Sequence, residues 1–427
     1  MRRLLGLKDL VHDAIDKTTE LVEQTHAATG RRVVNMLSIV EPLGDAARAV
    51  VGAQRTAAAA VYATIRATNR GVQTLADAGV ALAAPVAAER TRATPVESTP
   101  RGTLSRWVDA AQGALNAMHG DFLRARDNGL AIRMGVRQDG RTVRLSRASL
   151  ARAFPDATGR VAVFVHGLGC TEWEWRFRAE ALHGDPDVSF GTMLARDLGI
   201  TPLYVRYNTG LHVSENGRAL SDLLGEVVAA YPRRIDEIVL VGHSMGGLVA
   251  RSAAHYGADR GAAWVDRLGH VICIGAPNLG APLEKGANLL ASALRALDTA
   301  ATQVPAAILN ARSAGIKDLR FGYVVDEDWR GKDPDARLED NRRDIPFVDG
   351  ATYYFVAASL TRDPDHPLGQ LLGDALVRLP SAAGRAPQPA RRIPFHLGRT
   401  FGGIGHLTLQ NHPDVYAAIR AWLSGGD

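Results

Sequence analysis

The sequence predicts an α/β protein: a mostly parallel sheet covered by helices on both faces, with a helical region at its N-terminus and a lid-like insertion late in the chain. Three observations predict it. Beyond residue 160, short apolar runs (161–165 VAVFV, 201–207 TPLYVRY, 237–242 EIVLVG, 270–277 HVICIGAP, 352–360 TYYFVAASL) alternate with segments of helical periodicity. Near-continuous apolar runs of this length mark parallel strands buried on both sides. One run passes through Gly242-His243-Ser244-Met245-Gly246 into an Ala-rich helix with no loop between, the strand–turn–helix context of a nucleophile elbow. The stretch 278–350 breaks the alternation and reads as an insertion.

The elements follow in order. Leu4, Leu7, Val11, Ala14, Thr18 and Leu21 recur at steps of three and four between charged residues, an amphipathic helix that Gly30 ends. A second helical pattern starts near Pro42 and runs to about Asn69, and a third covers 72–84. Residues 1–90 therefore form an N-terminal amphipathic helical region. Packing on its own enzyme or on a second copy is one use of such helices, and coating an apolar or lipid surface is the other. The segment 91–103, with two prolines and several Ser/Thr but almost no apolar residues, is a linker. The second unit spans 104–427. It opens on a helical pattern over 104–126, and the runs 131–136 and 142–145 flank Asp139-Gly140, a hairpin signal.

Within the insertion 278–350, residues 288–297 carry apolar side chains at helical spacing and 326–349 are highly charged. Its position after a strand suits a cap or lid over 279–309, the alternative being a peripheral excursion. A last strand is expected at 393–397 and a last helix at 414–423.

A serine hydroxyl needs a neutral imidazole to take its proton and a carboxylate to orient that imidazole. Ser244 is the candidate nucleophile, since glycines two residues to either side leave room for a strained turn. Downstream, Asp374 follows the strand at 352–360, and His406 lies in the glycine-rich loop 402–407 before the last helix. Asp363 and Asp365 come sooner, but in a polar loop flanked by prolines. His412 reads as a helix start beside Pro413, and His396 falls in the expected last strand. The oxyanion hole is assigned to the backbone N–H groups of Met245, directly after the serine, and of Leu168 in the loop His166-Gly167-Leu168-Gly169. His166 is expected to brace that loop, and His243 to pack or hydrogen-bond near the nucleophile. Trp173 and Trp175 are expected to pack in the core, an acyl-chain wall being the rival role.

With 427 residues, 46% apolar, the chain can bury a large core. The formal charge is only +5 and no Lys/Arg block is interleaved with aromatics, which argues against nucleic acid as a partner. Two widely spaced cysteines, Cys170 and Cys273, indicate no disulfide framework. Charges break up the first ten residues, and no window offers eighteen uninterrupted apolar residues. A cytoplasmic protein is expected, with the N-terminal helices as its candidate contact with a membrane or lipid surface. No cofactor and no metal are implied: His-Glu-x-x-His, Cys-x-x-Cys and the phosphate-loop pattern are all missing.

Taken together, HGLG at 166–169, GHSMGGLVAR at 242–251, IGAPNLGAP at 274–282, GDALV at 373–377 and the ending GHLTLQNHPDVYAAIRAWL resemble the α/β-hydrolase superfamily, within it the lipase and GPI inositol-deacylase-like serine esterases. The resemblance covers about 160–423. It implies the α/β-hydrolase fold, a triad of Ser244, Asp374 and His406, and an oxyanion hole at Leu168 and Met245. Such lipases often read GDGLV, and Ala375 stands here in place of the second glycine. The expected activity is cleavage of carboxylic esters, small-molecule or lipid, through an acyl-serine intermediate. The rival readings are acyl transfer by the same triad, and a lipid- or granule-surface-binding protein with a passenger hydrolase fold.

Overall fold

The computed structural model describes residues 103–281, 313–332 and 340–425. The N-terminal helical region 1–90, the linker 91–103 apart from its last residue, and most of the lid segment 279–309 lie outside the described residues. Apart from 125–130, the described residues belong to one compact unit.

In chain order the described residues form α1 (Thr103–Ala125), β1 (Gly135–Gln138), β2 (Arg141–Thr142), α2 (Arg147–Ala153), β3 (Arg160–Val165), α3 (Ala179–His183), α4 (Phe190–Leu198), β4 (Thr201–Arg206), α5 (Val213–Ala230), β5 (Glu237–His243), α6 (Met245–Asp259) and β6 (Leu268–Ile274). There follow α7 (Ala314–Leu319), α8 (Asp326–Trp329), β7 (Thr352–Ser359), α9 (Pro367–Leu372), α10 (Leu379–Ala382), β8 (Leu397–Gly402) and α11 (Pro413–Leu423). The eight strands form one sheet in the order β2-β1-β4-β3-β5-β6-β7-β8. β3 to β8 run parallel, while β1 is antiparallel to both β2 and β4.

Alternation along each strand makes both faces of the sheet apolar. Val161, Val163 and Val165 of β3 and Ile238 and Leu240 of β5 face one side, with Leu220, Leu224 and Val227 of α5 and Leu248, Val249 and Ala253 of α6. Ala162, Phe164, Val239 and Val241 face the other, with Phe190 and Leu194 of α4 and Val415, Ile419 and Trp422 of α11. A sheet apolar on both faces has to be covered on both, as the pattern predicts. Among the described residues no helix is long and apolar enough to cross a membrane.

The hairpin and the last strand differ from the sequence reading. Asp139 and Gly140 turn at φ 48° and 76°, as an Asp-Gly hairpin requires, but β1 starts only at Gly135 and β2 spans two residues. The last strand is β8, 397–402, not 393–397. Pro394 has no N–H to donate to a ladder, and β8 is a sheet edge whose first four residues are exposed, so no apolar run marks it.

Because the chain passes from β3 outward to β4 and returns past β3 to β5, the sheet order reverses between β3 and β5. The crevice at the C-terminal ends of such strands is where α/β sheets bind their ligands.

Candidate active site

Ser244 joins β5 to α6 at φ 54° and ψ −124°. A non-glycine residue in such a region costs about 1–3 kcal/mol and persists only where its surroundings hold it. Here the Ser244 N–H donates to the Ile274 carbonyl (2.8 Å), and the Gly247 N–H donates to the Ser244 carbonyl (3.0 Å). A Cβ on Gly242 would lie 2.3 Å from the Gly246 oxygen, and one on Gly246 would lie 2.1 Å from the Val165 oxygen. The turn therefore closes only with glycine at both places. α6 begins directly after the serine, and its N-terminus favours negative charge beside the hydroxyl.

The chain brings an imidazole and a carboxylate to the same edge from two later loops. Asp374 follows β7 and His406 follows β8, both buried. The His406 Nδ1–H donates to Asp374 Oδ2 at 2.7 Å, and its backbone N–H donates to the Asp374 carbonyl at 3.0 Å. Asp374 Oδ1 accepts the N–H groups of Leu376 (3.0 Å) and Val377 (2.8 Å), so three donors orient the carboxylate. The His406 ring centroid lies 4.8 Å from that of His243. Its Cε1 lies 3.3 Å from where a Cβ on Gly275 would stand, and Gly275 follows the Ile274 carbonyl that holds Ser244. Among the described residues the Ser244 hydroxyl forms no hydrogen bond.

His243 closes the arrangement from below. Burial first, and the neighbouring His406 second, push it well below the usual imidazole range. The neutral ring's Nε2–H donates to the His406 carbonyl at 3.0 Å, the hydrogen-bonding role expected of it.

The loop after β3 lies against the serine: a Cβ on Gly167 would stand 3.1 Å from Ser244 Cβ. His166 organises that loop. Its Nδ1–H donates to the Gly167 carbonyl (2.9 Å) and its Nε2 accepts the Tyr207 N–H (3.4 Å), while the Tyr207 hydroxyl donates to the His166 carbonyl (2.7 Å). Burial holds His166 down at about 4, which keeps one ring nitrogen a donor and the other an acceptor. Among the described residues neither the Leu168 nor the Met245 N–H donates to the protein; Met245 directly follows Ser244, and Leu168 follows Gly167, the residue that lies against it.

The rival residues are engaged elsewhere. Asp363 and Asp365 are exposed, and the Asp365 N–H donates to Asp363 Oδ1 at 2.9 Å. His412 Nδ1 accepts the Asp414 N–H as the cap of α11, and His396 Nδ1 accepts the Tyr353 N–H. Trp175 is fully buried edge-on to Phe164, 5.0 Å between centroids. Trp175 therefore packs in the core, whereas Trp173 is half-buried, donates its indole N–H to Asp109 at 3.0 Å and lines a surface cavity. One cluster escaped the sequence reading: Arg206, 3% exposed, donates to Glu172 (2.5 and 2.6 Å) and to Asp109 (2.7 Å). No spacing rule links residues 172 and 109 to 206; only the clustering of charges inside otherwise apolar segments hinted at a buried partner.

A serine on a strained strand-to-helix turn, with a buried carboxylate–imidazole pair beside it at the C-terminal edge of a mostly parallel sheet, defines an α/β hydrolase. The chain belongs to the alpha/beta hydrolase family, whose model matches residues 162–419. Among solved structures it is similar to the mature form of the Bacillus licheniformis lipase BlEst2, at 19% identity over 62% of this chain and 91% of that one, with a TM-score of 0.41. It is also similar to the RedJ thioesterase of the prodiginine biosynthetic pathway in Streptomyces coelicolor (18% identity, 63% and 91% covered, TM-score 0.33). A third similar structure is an esterase from Pyrobaculum calidifontis (13% identity, 62% and 76% covered, TM-score 0.35). No curated protein matches the chain.

Proposed function

We propose that this hydrolase cleaves carboxylic esters through an acyl-serine intermediate, with Ser244 as nucleophile, His406 as general base and acid, and Asp374 orienting the histidine. The observation that carries the reading is the buried 2.7 Å bond from His406 Nδ1–H to Asp374. It commits the ring's proton to Nδ1 and leaves Nε2 as a lone pair able to accept the Ser244 proton.

The steps follow from that tautomer. Ser244 Oγ attacks the ester carbonyl as its proton passes to His406 Nε2. The Leu168 and Met245 N–H groups, which have no protein acceptor among the described residues, stabilise the oxyanion, aided by the N-terminus of α6. His406 returns the proton to the departing alcohol. Water, activated by the same Nε2, then attacks the acyl-serine and regenerates the enzyme.

Ser244→Ala is expected to abolish labelling by a fluorophosphonate probe and to lower turnover of p-nitrophenyl esters by about 10⁴-fold or more. An ester chain-length panel run on both proteins reads the acyl preference. Active-site labelling that survives in Ser244→Ala would sink the assignment.

A further inference from the structure

α1 lies wholly before residue 162, where the family match begins, yet it touches the loop that carries Leu168. A Cβ on Gly113 would stand 2.8 Å from the Gly169 carbonyl oxygen and 3.1 Å from that of Cys170. One turn earlier, Asp109, 5% exposed, accepts the Trp173 indole N–H (3.0 Å) and an Arg206 N–H (2.7 Å). Arg206 in turn holds Glu172. Further along, the Gly120 carbonyl accepts from Asn208 Nδ2 (2.9 Å), next to Thr209, whose hydroxyl accepts the Gly169 N–H (3.2 Å). The segment 169–173 is thus gripped by α1 and by residues 206–209, themselves tied to α1.

We propose that α1 is the template that sets the anion-binding loop, with Gly113 and Asp109 as positioning residues for the reaction. Gly113 fixes how closely helix and loop approach. Asp109 is the buried charge that locks the strand end and Trp173 to the helix. The proposal rests on the reading of the Leu168 N–H as an oxyanion donor. Such a donor works only when aimed at where charge develops, and errors well under an ångström lower the rate.

Gly113→Ala separates positioning from stability. In a helix interior alanine is favoured over glycine by about 1 kcal/mol, but here the added methyl meets a backbone carbonyl, and helix or loop must give way. Gly225 in α5 is the matched control, because a Cβ there meets nothing within 4 Å.

The test uses the full chain as wild type, Ser244→Ala, Gly113→Ala, Asp109→Asn and Gly225→Ala. It measures steady-state kinetics on p-nitrophenyl butyrate, melting temperature, and inhibition by a boronic acid, which forms an anionic tetrahedral adduct on a serine. Gly113→Ala is expected to lower kcat by about ten-fold and weaken the boronate by a similar factor, with KM within about two-fold. Asp109→Asn shifts kcat and boronate affinity in the same direction, and Gly225→Ala changes neither. Should Gly113→Ala not fold, Asp109→Asn alone carries the test. Folded variants with wild-type kcat and boronate affinity overturn the proposal, as do losses confined to KM. Turnover retained by Ser244→Ala is a separate result: it removes the nucleophile reading whatever Gly113→Ala does.

Discussion

Ser244 and Ala375 are two non-glycine residues held at positive φ within the site, at 54° and 89°. At Ser244 the strained turn is held by the Ile274 and Gly247 hydrogen bonds, and glycines 242 and 246 leave the room it needs. Ala375 is exposed, and what its turn needs is for the Leu376 and Val377 N–H groups to reach Asp374. Glycine takes that φ without strain, at the cost of more freedom in the unfolded chain. Ala375→Gly should therefore stabilise the protein by about 0.5–1 kcal/mol, a rise of about 1–2 °C in melting temperature, with kcat unchanged. A lower melting temperature would show that the turn is not strained as described. The Gly-rich flanks made Ser244 and His406 readable from sequence, whereas the strain at Ala375 was not, because nothing in GDALV gives a dihedral angle.

At the scale of elements, the loop after β3 hangs on the neutral imidazole of His166. Its folded value of about 4 lies below the ordinary imidazole value of about 6.5. Between those two pH values the unfolded chain binds the proton more readily, so this stabilisation is complete above about 6.5 and drains away as the pH falls toward 4. The full difference amounts to about 3 kcal/mol. Glutamine offers one donor and one acceptor without titrating. Urea unfolding at pH 7, 5.5 and 4 should therefore show wild type losing more stability than His166→Gln over that range, and parallel losses would contradict the assignment. The apolar runs that mark β3 to β7 were legible because both faces of a central strand must be apolar. β8 was not, because an edge strand keeps its hydrogen bonds to β7 while its side chains meet water.

Apolar clusters on the two faces of one sheet hold the unit, and its last helix is part of the cluster that contains Phe164 and Trp175. Trp422 of α11 stacks on Tyr354 of β7, 4.8 Å between centroids, at 8% exposure. Trp422→Ala should cost about 3–5 kcal/mol, seen as a fall in melting temperature, with kcat of the folded protein at low temperature near wild type. A stability loss under about 1 kcal/mol would mean that α11 is dispensable to the core. By itself the sequence determined the strand pattern, the elbow and the short list of acids and bases, because apolar alternation and the steric demand for glycine act between near neighbours. Only the tertiary structure decided the rest. Sheet order places the loops after β3, β5, β7 and β8 on one edge, so Asp374 and His406 meet there while Asp363 and His412 stay outside. It also brings Asp109 of α1 to Arg206 and Glu172. A charge is stable inside a core only where a partner of opposite sign reaches it, and across such separations only the folded chain settles which partner that is.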